Sequence, residues 1–114
     1  MQRDYVQYPD DENGDVLWRM LEDGDNLATP REVDFSVVFA SEESAINFAV
    51  GLLRNGQKVS FSPYEGKEGF PWQVHAHPVM APAHENVSGY EQQLAIDAAA
   101  FGGANDGWGC FAHD

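Results

Sequence analysis

The sequence predicts an α+β domain, a ferredoxin-like βαββαβ sandwich with an extra N-terminal helix. Three observations carry this reading. Apolar residues alternate with period two between Glu32 and Ala40, switch to helical spacing between Ser41 and Gly56, and the strand-and-helix order returns after a hairpin in the second half. An antiparallel sheet with two helices on one face is what that order of elements builds.

Residues 1–14 read as a flexible acidic arm, because Tyr5 to Asp15 is rich in Asp, Pro, Asn and Gly. The domain proper is expected over 15–114. Its first element is a short amphipathic helix with Val16, Leu17, Met20 and Leu21 on one side, capped by Asp15 and closed by Gly24. A loop through Pro30 leads to a half-buried strand in which Val33, Phe35, Val37 and Phe39 share one face. Ser41 and Ser44 bracket two acids at the start of the next helix, whose stripe is Ala45, Phe48, Ala49, Leu52 and Leu53. Gln57–Ser62 and Trp72–Ala76 alternate again and form a hairpin around the Pro63–Pro71 turn. A third helix starts at His84 or Ser88 and ends before Gly102 and Gly103, with Tyr90, Leu94, Ala98 and Phe101 near one face. An Asp106-Gly107 turn then introduces a last strand, Trp108 to Ala112.

Composition limits what this domain can do. Nineteen acidic residues face six basic ones, a formal net charge of −13, and the six are scattered singly. A protein that grips phosphates needs a basic stripe, so direct binding of nucleic acid is not expected. Acidity suits a basic protein partner, and equally a solvated surface with no partner. Hydrophobic residues at 43% and aromatics at 12% are ordinary for a folded chain. The single cysteine, Cys110, forms no internal disulfide, which points to a reducing compartment and cytoplasmic location. With no apolar signal core near the N-terminus and no run of about 20 apolar residues, neither export nor a membrane span is expected.

No catalytic set emerges. His75 and His77 share one strand face, and His84 and His113 are candidates to join them, but no ligand-spaced motif is present, so neither metal nor another cofactor is expected. Cys110 near His113 lacks the electropositive setting of a nucleophilic thiolate. The strand aromatics Phe35, Phe39, Phe61 and Trp72 fall on the helix side, while Asp34, Ser36, Ser60 and Gln73 occupy the other, which argues against stacking of bases on the sheet. Trp108, between two glycines, reads either as a core indole or as an exposed contact for a partner.

The terminal Asp106-Gly107-Trp108-Gly109, the helix end Trp18-Arg19-Met20-Leu21-Glu22-Asp23-Gly24-Asp25, and the strand from Val33 with its Glu-rich helix start resemble the regulator of ribonuclease activity B family over roughly Asp15 to Asp114. The resemblance implies a ferredoxin-like, cytoplasmic, non-enzymatic protein that binds ribonuclease E outside its catalytic centre and modulates RNA processing. Well-known members continue into an acidic tail where this sequence stops at Asp114. The family offers no catalytic residues. The residues nominated for a partner contact are Glu22, Asp23 and Asp25 near the first helix end and Asp106, Gly107 and Trp108 in the family-like ending. A small-ligand-sensing module is the competing function, and either a monomer or a homodimer paired through a sheet edge is compatible with the pattern.

Overall fold

The run from Arg31 to Phe39 forms strand β1, around which the rest of the chain assembles in this computed structural model, which describes residues 2–111. Its odd-numbered apolar residues, Val33, Phe35, Val37 and Phe39, point into the core. Because β1 is flanked on both edges, Ser36 and Val38 on its other face are buried too, Ser36 accepting a hydrogen bond from Gln73 Nε2 at 2.7 Å.

The elements follow as α1 (Glu12–Glu22), β1, α2 (Glu42–Arg54), β2 (Val59–Pro63), β3 (Trp72–Ala76), β4 (Val79–Met80), α3 (His84–Ala99) and β5 (Ala104–Cys110). Three helices and a five-stranded antiparallel sheet make this an α+β fold. β2 and β3 form the expected hairpin, with Phe61 opposite Val74. β3 lies along β1 with Phe35 opposite Ala76 and Phe39 opposite Trp72, and β4 pairs with Arg31 and Glu32 in the same register. β5 also pairs with β1. α2 buries Ala45, Phe48, Ala49 and Leu52 against the sheet, and α3 buries Val87, Leu94 and Ala98. Burying side chains of this size stabilises by roughly 1.5–3 kcal/mol each for the larger ones, so this layer dominates the fold's stability. Among the described residues, no helix is long and apolar enough to cross a membrane.

Two boundaries differ from expectation. Helix α1 begins at Glu12, not Asp15, because Asp11 is the N-cap and its carboxylate accepts the Gly14 N–H at 2.7 Å. The first turn carries no apolar residue, so hydrophobic spacing alone started the helix a turn late. The start therefore falls inside the segment read as an arm. Arg3 ties that segment to α1, donating to the carbonyls of Tyr8 and Pro9 and pairing with Asp15 at 2.9 Å, while Tyr8 packs on Trp18.

Gly14 sits where this segment crosses the helix, and a Cβ there would stand 1.8 Å from the Pro9 carbonyl oxygen. Helix propensity alone would make Gly14→Ala stabilising by about 1 kcal/mol. The backbone clash outweighs it, and the substitution is expected to lower unfolding free energy by about 1–3 kcal/mol in a urea titration.

The last strand starts at Ala104, four residues before the predicted Trp108, and Asp106-Gly107 is not a turn between elements. Phe35 pairs with Trp108 and Val37 with Asn105, so Asp106 and Gly107 together oppose the single residue Ser36. This is a β-bulge, and Gly107 supplies its left-handed conformation with φ of 93°. The Asp-Gly pair that signals a tight turn serves a bulge for the same reason. The strand ends at Cys110, and Ala112 lies outside the described residues.

Candidate functional site

The bulge decides where Trp108 points. In a regular strand, residues 105 and 108 would face opposite sides; the extra residue puts both beside α1 and α3. Trp108 packs at 6.4 Å from Phe35, and its indole N–H donates to Asn13 Oδ1 at 2.8 Å. Asn13 in turn donates to Glu91 at 2.6 Å and to Ser88 at 3.1 Å, tying the first turn of α1 to α3. Asn105 Nδ2 donates to the Glu91 carbonyl at 2.9 Å, while its Oδ1 is buried with no donor among the described residues.

These contacts wall a cleft of about 600 Å³ lined chiefly by Asp11, Glu12, Asn13, Glu91, Asp106 and Trp108, with no basic side chain in its lining. Glu12 is exposed at its mouth. Asp11 is held below the usual carboxylate range, first by the Gly14 N–H and then by His84, whose Nε2 lies 2.7 Å away. Asp106 accepts the Tyr64 hydroxyl at 2.5 Å, a bond that raises the phenol above its ordinary value. Four carboxylates and the Trp108 indole thus line one cleft. Chemically it can hold a cation, through charge-assisted hydrogen bonds and contact with the ring.

Of the nominated residues, Asp106, Gly107 and Trp108 come together in this cleft. Glu22 and Asp23 are exposed at the other end of α1, about 15 Å from Glu12 along the helix axis. Asp25 is directed inward. Its carboxylate, 2% exposed, pairs with Arg31 at 2.8 Å, and this is a correction to its nomination as a surface contact. Asp11, Glu12, Asn13 and Glu91 went unnamed in sequence; the only local signal was the Asp11-x-x-Gly14 spacing of a cap.

The histidines do not converge as a set. His75 and His77 stack at 5.9 Å on the sheet face away from α2 and α3, as expected, whereas His84 lies at the start of α3 against Asp11, and His113 is outside the described residues. Ser60 Oγ, His77 and Asp34 follow one another at 2.9 and 2.6 Å in the order of nucleophile, base and acid. Ser60 nevertheless stands exposed on the open sheet face, away from the acidic cleft. Burial raises the Cys110 thiol, the reverse of an activated thiolate.

Burial, with His77 adding to it, lowers His75 below the ordinary histidine value while Asp34 opposes. The unfolded chain therefore binds this proton at a higher pH than the folded one. Stability from His75 is complete above an unfolded value of about 6.5 and is lost as pH falls below it. His75→Gln is expected to flatten the decline in unfolding free energy between about pH 7 and 5, measured by urea titration at several pH values.

Fold and cleft together define a small acidic α+β protein with a cleft lined by four carboxylates and a tryptophan. The family model for regulator of ribonuclease activity B matches residues 10–110, nearly the whole described chain, and the protein belongs to that family. Comparison of the sequence with curated proteins finds no match.

Proposed function

We propose that this protein is a non-enzymatic regulator that binds a basic segment of a protein partner, ribonuclease E by family, and thereby modulates RNA processing in the cytoplasm. The observation that carries the proposal is the family match over residues 10–110. Support from the molecule comes from a net charge of −13 and a cleft whose acids, Asp11, Glu12, Glu91 and Asp106, surround Trp108 without a basic side chain among its lining residues. A partner's arginine or lysine meets complementary charge there, with Trp108 among the lining residues as an apolar surface for its side-chain stem. Glu22 and Asp23 add two exposed acids at the other end of α1.

The finer fold reading enters the proposal too. β2, β3, β1 and β5 lie side by side in that order with two sequential helices on one face, as a ferredoxin-like sandwich requires. Nothing in that scaffold demands an enzyme, since such folds host many roles.

The test is a binding titration between the full chain and the non-catalytic part of ribonuclease E at low and high salt. Regulation by charge docking predicts an affinity that falls steeply as salt rises. Binding that is indifferent to salt, or a melting temperature raised by a small metabolite at high salt, would favour a ligand-sensing module instead.

A further inference from the structure

We propose that Glu32, Asp34 and His77, on the sheet face opposite α2 and α3, form a site for a divalent transition-metal ion of the zinc class. One ligand atom from each lies within 4.8 Å of the others. His77 Nδ1 stands 2.6 Å from Asp34 Oδ1 and 3.5 Å from Glu32 Oε1. Metal bonds of about 2.0–2.2 Å place tetrahedral ligand atoms roughly 3.3–3.6 Å apart, so side-chain adjustments that part His77 from Asp34 admit an ion between them.

The backbone holds the three in place. Glu32 and Asp34 are two apart on β1 and share a face, and His77 directly follows β3, where the register sets it across from Asp34. Its own N–H donates to the Lys58 carbonyl at 2.9 Å. The surroundings also suit a ligand histidine. Ser60 Oγ lies 2.9 Å from His77 Nε2, positioned to accept that nitrogen's hydrogen and leave the Nδ1 lone pair for the ion. Lys58 Nζ engages Glu32 Oε2 at 2.8 Å, which leaves Oε1 facing His77.

An imidazole with two carboxylates selects a borderline ion such as zinc over calcium or magnesium, which prefer all-oxygen shells. Glu32 and Asp34 are about two-fifths exposed, so water can complete the coordination. Spacing rules miss this site because its ligands come from β1 and from the residue after β3, more than forty residues apart in sequence. It is independent of the acidic cleft and of the partner proposed for it.

The experiment is a zinc titration of the full chain by calorimetry, with the histidine ring resonances followed by NMR, repeated on His77→Gln, Asp34→Asn, Ser60→Ala and Lys58→Gln. One equivalent of zinc is expected to bind and shift the His77 ring signals. His77→Gln and Asp34→Asn should each weaken binding at least tenfold, Ser60→Ala about tenfold through the lost support, and Lys58→Gln should tighten it. Circular dichroism checks that each variant folds, and the His77 shift in the unaltered chain decides if one does not. Zinc uptake that leaves His77 unmoved, as at the Asp11–His84 pair, or no uptake at all, overturns the proposal.

Discussion

Replacing Arg31 by methionine is expected to lower the unfolding free energy by about 3–5 kcal/mol, out of the roughly 5–15 kcal/mol that a domain usually has. The guanidinium is 3% exposed and pairs with Asp25 at 2.8 Å. It also donates to the carbonyls of Asn26 at 2.7 Å, Thr29 at 3.2 Å and Phe111 at 3.1 Å, joining the α1–β1 loop to the segment after β5. Methionine fills similar volume but takes the guanidinium away from the buried Asp25 carboxylate and from three backbone carbonyls. The double variant Arg31→Met with Asp25→Leu should recover part of the loss, because the pair's desolvation cost disappears with both charges while the Asn26, Thr29 and Phe111 carbonyls still lose their donor. By contrast, Lys58→Met breaks an exposed pair with Glu32 and should change stability by less than about 1 kcal/mol. Urea midpoints for the four chains measure all of this, and equal losses for Arg31→Met and Lys58→Met would contradict the assigned role of the buried pair.

Glu12→Lys is expected to weaken partner binding at least tenfold, about 1.4 kcal/mol, while leaving the urea midpoint nearly unchanged. Glu12 is exposed at the cleft mouth in the first turn of α1. Reversal there loses an attraction and adds a repulsion to an incoming cation, with the change concentrated in the association rate. Lysine near the helix N-terminus costs only a few tenths of a kcal/mol through the helix dipole, so the fold survives. Glu43→Lys in the first turn of α2 makes the same net charge change away from the cleft, and should have little effect on binding. If the two substitutions weaken binding equally, net charge rather than the cleft is responsible.

The sheet and α2 were legible because the change from alternating to helical spacing is sharp. It falls at Ser41, whose hydroxyl caps the helix by accepting the Ser44 N–H at 3.2 Å. The helix-facing set Phe35, Phe39 and Trp72 followed from the same alternation. Trp108 could not be placed from periodicity, because one inserted residue at Asp106-Gly107 reverses the side on which every later residue of β5 falls. Asp25 looked like one more acid at a helix end. Its partner Arg31, six residues on and one of only six basic residues, was the clue to an inward-facing pair. The cleft itself draws on residues near 11, 91 and 106, brought together only by tertiary packing.

The most direct test is to titrate the purified chain into a ribonuclease E cleavage assay, using enzyme with and without its non-catalytic basic scaffold. The account predicts inhibition that requires the scaffold, fades as salt rises, and weakens at least tenfold with Glu12→Lys. Inhibition of the isolated catalytic part, or no effect on either form, would contradict it.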